Sequence, residues 1–164
     1  VIGSSSTYRS MGGLWHYIST NKTNASAAEV TTTVIENDAR ACYDAGGRPN
    51  ILLCNSIQAQ KITNLYSASV RREPESILGG LQITRILLPI AGAGELAIIV
   101  NRWVPQHEYY ILDGARVKIG VLRPFFIQDL AVTGDAVKQQ CIGEYTLVLY
   151  NEEAHARRYN LKIT

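Results

Sequence analysis

Three histidines (His16, His107, His155) and three cysteines (Cys42, Cys54, Cys141) are the side chains of this 164-residue chain best suited to nucleophilic or metal chemistry. A Cys/His nucleophile pair needs an imidazole within hydrogen-bond reach of the thiol, and no local hydrolase signature surrounds any of the six. The cysteines are spaced 12 and 87 residues apart, with no CxxC and no close histidine, which speaks against a structural zinc site. They read as free thiols, mostly buried as small hydrophobes, in a protein of a reducing compartment. His107, in a Pro105-Gln106-His107 turn, and His155, among charged residues, are expected to be solvated. Paired carboxylates could do hydrolytic work, and Asp113, Asp129, Asp135 and Glu144 are the candidates. Spacing alone brings no two of them together, and Asp113-Gly114 and Gly134-Asp135 are accounted for as turn residues. Gly92-Ala93-Gly94 lacks the rest of a dinucleotide fingerprint, and no Gly-Lys-Ser/Thr phosphate loop occurs. The sequence therefore predicts no cofactor, no metal and no small-molecule substrate.

The elements that would position these groups fall into two halves. Met11, Leu14, Trp15 and Ile18 have helical spacing, and Gly12-Gly13 within that turn suggests that another backbone packs closely there. Ser26 with Glu29 three residues on is a capping-box pair, and Val30, Val34, Ala41, Cys42 and Ala45 form one apolar stripe up to Gly46-Gly47. The pattern predicts a helix over 26–45. Ile51 to Cys54 reads as a buried strand, and Asn55 or Ser56 caps a second helix through Tyr66, with Ile57, Ile62 and Leu65 inward. Residues 68–80 have no period and read as a loop. Strands are then predicted over 81–88, 95–100, 109–112, 117–122, 125–132, 141–150 and 157–163. In the last, Tyr159, Leu161 and Ile163 alternate with a wet face of Arg158, Asn160 and Lys162. Helix-rich first, strand-rich later, the chain is predicted to be α+β, with helices packed on a mostly antiparallel sheet.

Composition narrows the functional classes. With 46% hydrophobic and 18% charged residues the chain has the makings of a folded domain. The formal net charge is +2; residues 1–82 carry 7 basic and 6 acidic side chains and residues 83–164 carry 9 and 8, so each half is +1. Neither half is a basic arm for nucleic acid. No signal peptide and no apolar run long enough to span a membrane occurs. Two glycosylation sequons overlap residues 21–26 and are discounted as chance tripeptides. The start on Val1 and Gly3-Ser4-Ser5-Ser6 suggests part of something longer. Arg71-Arg72 and Arg157-Arg158 are the two basic pairs, each with acids nearby (Glu73 and Glu75; Glu152 and Glu153). Such pairs are either solvated or reserved for a protein contact.

An ordered set of motifs goes further. Ser4-Ser5-Ser6, Met11-Gly12-Gly13-Leu14, Tyr17-Ile18-Ser19-Thr20-Asn21 and Gly46-Gly47-Arg48-Pro49 come first. Asn101-Arg102-Trp103-Val104-Pro105, Leu122-Arg123-Pro124-Phe125, Thr133-Gly134-Asp135, Gly143-Glu144-Tyr145-Thr146-Leu147 and Asn151-Glu152-Glu153-Ala154-His155 follow. Together they resemble the major capsid proteins of tailed phages with the Hong Kong 97-type fold. The resemblance implies a structural, non-enzymatic subunit of an icosahedral head shell, self-associating in capsomers and enclosing DNA without sequence-specific binding. Such a protein is made in the bacterial cytoplasm and ends in the virion. In this family an N-terminal arm, an extended loop and a spine helix precede the Ser-Ser-Ser region. By resemblance, then, 1–25 is a remnant of the peripheral domain, 26–112 the axial domain and 113–164 the returning strands of the peripheral domain. Without the arm and loop, the chain alone is expected to fold but not to close a shell.

Candidate subunit-interface residues are Arg71, Arg72, Arg123, Glu152, Glu153, Arg157 and Arg158; Arg157 and Arg158 are expected to serve assembly more than folding. Trp103 is expected to be structural, its indole covering the edge of the core, as are Gly12 and Gly13. Two alternatives stand beside this reading. One is a phage-encoded hydrolase using a carboxylate from Asp113, Asp135 or Glu144. The other is a nanocompartment shell protein of the same fold.

Overall fold

Residues 10–67, 70–73, 83–88, 94–131, 134–135 and 137–163 are described by a computed structural model, with backbone alone for 70–73 and 83. Gly3-Ser4-Ser5-Ser6, most of the 68–80 loop and Gly92-Ala93 lie outside these residues.

The first helical turn, α1 (Leu14–Tyr17), is followed by a short strand, β1 (Lys22–Asn24). The predicted helix over 26–45 starts later, as α2 (Thr32–Asp44), capped by Thr31, whose side chain accepts from the Val34 amide. The Ser26/Glu29 capping box does not form. Ser26 and Ala27 both have left-handed backbone angles (φ +50° and +61°), a conformation that starts no right-handed helix. The buried stripe is also shifted, to Ile35, Asp38, Ala39 and Cys42, leaving Ala41 exposed. Its spacing of i, i+3, i+4, i+7 is regular, but it contains an aspartate that a hydrophobicity pattern excludes. Gly46 at φ +81° turns the chain out of α2. At Gly47 a Cβ would lie 2.7 Å from that of Ala154, a contact that only glycine permits.

Strand β2 (Ile51–Cys54) runs into α3 (Ser56–Leu65), capped by Asn55. The inward residues of α3 are Gln58, Ala59 and Ile62, while Leu65 is exposed. Then come β3 (Val70–Glu73), β4 (Ile83–Leu87), β5 (Glu95–Val100) and β6 (Tyr109–Leu112). Strand β3 forms in a segment read as loop. It pairs antiparallel with β4 at the sheet edge, where a strand needs only one partner and tolerates charges. After a 3₁₀ turn at Gly114–Arg116, two long strands form a ribbon, β7 (Val117–Asp129) and β8 (Gln139–Leu149). The sequence pattern divides β7 into two pieces parted at Arg123-Pro124. It is continuous because register shifts around Arg123 absorb the proline's missing donor. A second 3₁₀ turn, Glu152–Ala154, leads to β9 (Ala156–Tyr159).

The main sheet has the order β1-β9-β6-β2-β5-β4-β3, with β1–β9 and β2–β5 parallel and the other four pairings antiparallel. Strands β1, β6 and β9, drawn from the three segments 1–25, 26–112 and 113–164, are neighbours in this one sheet. The class is α+β, as the sequence predicts. Helices α2 and α3 cover one face, where Ile35, Ala39, Cys42 and Ile62 pack with Leu52, Leu96, Ile98, Tyr109 and Ile111. The other face carries a smaller cluster of Ile18, Val104, Tyr110 and Leu112.

Cys42 and Cys54 are fully buried and burial pushes both thiols up to about 12, whereas Cys141 is exposed on β8. Titration with a thiol reagent at pH 8 should therefore count one fast thiol in the native chain and three after denaturation without reductant. Fewer than three in the denatured chain would reveal a disulfide.

Candidate functional site

Strand β9 places Arg157 and Arg158 on opposite faces of the sheet, opposite Tyr110 and Tyr109 of β6. On the helical face Asp38 of α2 receives both, Arg158 through Nε at 2.8 Å and Nη2 at 2.6 Å, and the Tyr109 hydroxyl at 2.6 Å. On the other face Glu108 receives Arg157 through Nε at 3.1 Å and Nη2 at 2.7 Å, and the Tyr110 hydroxyl at 2.8 Å. Both arginines grip their carboxylate with two parallel hydrogen bonds. The Arg157 guanidinium also lies over the Tyr159 ring at 5.1 Å and donates to the Trp15 carbonyl. Burial pushes the Glu108 carboxyl up, but hydrogen bonds from Arg157 and Tyr110 outweigh it and hold the group below its ordinary range. Hydrogen bonding to Asp38 keeps Arg158 firmly charged, and burial beside the carboxylates pushes the Tyr109 and Tyr110 hydroxyls well up.

Arg157 and Arg158 are thus not a solvated pair; the residues are 8% exposed and half-buried, respectively. Of the predicted wet face Asn160 and Lys162 are exposed, but Arg158 is covered, and Asn160, at φ +58°, ends the strand early. Glu152 and Glu153 are not their partners either. The Glu152 carboxylate accepts from the Ser19 and Thr20 amides and, at 2.8 Å, from the Thr20 hydroxyl. Burial raises its pKa, but these bonds prevail and lower it. Glu153 is exposed, and its backbone carbonyl accepts from the Asn21 side chain at 2.6 Å. His155 is fully buried, not solvated.

Trp103 is 86% exposed, which corrects its expected place in the core. Asn101 makes a turn in which its side chain accepts from the Trp103 amide at 2.9 Å, and Val104 is the residue turned inward. With Trp15, Trp103 flanks an open groove of about 410 Å³ whose lining includes Leu53, Val104 and Tyr110. Gly12 and Gly13 leave room for side chains rather than for another backbone: a Cβ at Gly12 would lie 2.9 Å from the Tyr17 ring, and one at Gly13 3.1 Å from the Trp15 ring.

Arg123 lies on the ribbon, exposed, with its Nε 2.9 Å from Glu144. Around it Ile119, Leu122, Phe125 and Ile127 are each about 70% exposed, on a ribbon that has no third strand among the described residues. A two-stranded ribbon is marginal in water without a further layer. The backbone places Arg71 and Arg72 on β3, an edge strand of the main sheet, opposite Arg85 and Thr84. The acids weighed for hydrolysis do not converge. Asp113 is buried at the root of the ribbon, Glu144 lies along it beside Arg123, and Asp135 is near its far end, about 40 Å away along a 13-residue strand. Among the described residues no group of three His, Cys, Asp or Glu is placed to hold a metal, and no helix is long and apolar enough to cross a membrane.

An α+β chain whose most conspicuous exposed feature is an apolar ribbon, and whose acids are scattered or tied into ion pairs, has the features of a protein that works through contacts. The SU10 major capsid protein family matches residues 2–162, and the chain belongs to that family. The resemblance drawn from the ordered motifs is borne out at this level. Among solved structures, a chain from Mycobacterium phage Adephagia is similar at 16% identity and TM-score 0.48, over 85% of this chain and 48% of that one. One from Mycobacterium phage Cain is similar at 14% identity and TM-score 0.38, over 84% of this chain and 41% of that one. The chain thus spans less than half the length of either. No curated protein sequence matches it.

Two measurements check the internal role of the arginines. Arg158→Met leaves the Asp38 carboxylate buried without its cation and should cost about 3–5 kcal/mol in urea unfolding, while Trp103→Ala, at an exposed site, should cost less than about 0.5 kcal/mol. The depressed pKa of Glu108 sets the sign of the acid response. The stability it contributes is present above the ordinary glutamate value near 4.5 and is lost as pH falls through the lower folded value. The urea midpoint should therefore fall below about pH 4.5, and Glu108→Gln, less stable at neutral pH, should lose less over that interval.

Proposed function

We propose that the chain is part of a tailed-phage head-shell tile of the Hong Kong 97-type fold, a subunit that self-associates in capsomers around packaged DNA and catalyses nothing. The observation that carries this is the family match across residues 2–162. The apolar ribbon supports it: in a tile, neighbouring subunits or further chain would cover the Leu122, Phe125 and Ile127 side chains that water now meets. The near-neutral charge suits a shell that encloses DNA without gripping it by one basic face.

In this reading residues 26–112, with α2, α3 and β2 to β6, are the axial unit, and β1 of 1–25 with β7, β8 and β9 of 113–164 belong to the peripheral unit. Of the candidate interface residues, Arg123 and Glu153 offer exposed side chains, and Arg71 and Arg72 sit on an edge strand where a neighbour can approach. Arg157, Arg158 and Glu152 would act indirectly, by fixing the elements that meet the neighbour. The protein would be made in the host cytoplasm and end in the virion.

Electron microscopy of the full-length protein after expression tests the class. Closed shells are expected, empty or holding nucleic acid; a monomer that never assembles would remove the reading, and shells filled with an enzyme would turn it toward a nanocompartment. Arg123→Glu in the same protein sets two carboxylates side by side on an exposed ribbon. Unfolding should change by about 1 kcal/mol or less, while shell yield should drop severalfold. Wild-type yield would take Arg123 off the interface.

A further inference from the structure

The ribbon is joined to the sheet by two short connections, and they meet at one buried imidazole. His155, at the end of the β8–β9 connection, accepts a hydrogen bond at Nδ1 from the Asp113 amide, 3.2 Å away, at the start of the β6–β7 connection. Because Nδ1 accepts, the ring is neutral with its proton on Nε2, and among the described residues the buried Nε2 meets no hydrogen-bond partner of good geometry. The Asp113 carboxylate organises the outgoing connection by accepting from the amides of Arg48 (3.0 Å) and Ala115 (3.1 Å) and from Arg116 Nε (3.1 Å). Arg116 also donates to the Gly46 carbonyl, and its own carbonyl receives the Tyr150 amide at 3.0 Å, closing the root across both connections. In the returning connection Asn151 holds a left-handed backbone (φ +53°) and donates to the Ala45 carbonyl.

We infer that His155 is a protonation-sensitive latch at the root of the ribbon: neutral, it ties the two connections together, and protonated, it releases them. A proton on Nδ1 would point at the Asp113 N–H, so one of the bonds that join the two connections becomes a contact between two donors. The new charge would also sit in a buried place. Opening the root relieves both by admitting water to the ring. Of the groups facing the imidazole, burial, the largest effect, and Arg116 oppose the charge, while the Tyr150 backbone and the Asp113 and Glu152 carboxylates favour it; the balance leaves the ring harder to protonate than a free histidine. The sign follows. The latch is closed above the free-histidine value near 6.5 and is progressively lost as pH falls from there through the lower folded value. This window lies above the one in which the depressed carboxylates of Glu108 and Glu152 titrate.

The inference concerns the chain itself and does not depend on the shell reading. Amide hydrogen exchange, corrected for intrinsic rate, tests it at the Asp113 and Tyr150 amides between pH 7.5 and 5. In the wild-type chain the open population at these two amides should rise by up to about tenfold per pH unit below 6.5, while core amides of β2 stay protected. His155→Asn puts an uncharged acceptor where Nδ1 lies and should make the profile flat. A flat wild-type profile overturns the latch, and so does an Asn variant with the wild-type slope. Should the Asn variant fail to fold, nitrogen NMR of the wild-type ring decides. A neutral ring with its proton on Nε2 at pH 7.5, titrating below 6.5 in step with exchange, supports the latch; a proton on Nδ1 at pH 7.5 rejects it.

Discussion

The structure depends on β9 being held by a charge on each of its faces. A central strand normally presents apolar side chains on both sides, since an ionised group taken from water costs several kcal/mol unless it is paired and hydrogen-bonded. Here consecutive arginines meet consecutive tyrosines of β6, and each arginine closes on its own carboxylate, Asp38 above and Glu108 below. The arrangement ties four parts of the chain together: α2, the start of β6, β9, and through the Trp15 carbonyl the first helical turn. The parallel pairing of β1 with β9 then brings the residues after that turn into the sheet. Without the two pairs, nothing apolar on the Arg157-Arg158 dipeptide would specify which way β9 faces.

The ribbon answers to a different constraint. Its two strands pair with each other along one edge each, but among the described residues no third strand joins them, and Leu122, Phe125 and Ile127 remain in water. A surface like this is costly for a monomer and useful for a part that is to be covered. Its orientation is set at the root, where 3₁₀ turns, a left-handed asparagine and a buried imidazole occupy the few residues that could bend.

Much of the element pattern was legible along the chain. The apolar runs at 51–54, 95–100 and 109–112 are strands at the predicted limits because strands buried on both faces read as short continuous hydrophobic stretches. Asn55 caps α3 as its position foretells, since its side chain can reach a free amide of the first turn. The site was less legible. Neither Asp38 nor Glu108 belonged to a motif, and His155 sat among charges. The available signal was the doubled Tyr109-Tyr110 and the doubled Arg157-Arg158, two adjacent polar residues in each of two strands that cannot both turn their polar residues to water.

What the sequence determined alone was local: periodicity, turn and cap chemistry, the α+β class, and through its ordered motifs the family. Those properties depend on residues within a few positions of one another, or on an order that folding does not alter. Tertiary structure decided which polar residues are inside. Arg158 lies 120 positions from Asp38, and Arg157 lies 49 from Glu108, so whether an arginine is solvated or buried depends on a carboxylate that no local pattern assigns to it. Trp103 is the converse case. An indole beside an apolar strand has the hydrophobicity of a core residue, but one Asn101 side chain accepting from its amide turns Val104 inward and leaves the ring in water. Burial is a property of the pair or the turn, and only the folded chain brings the partners together.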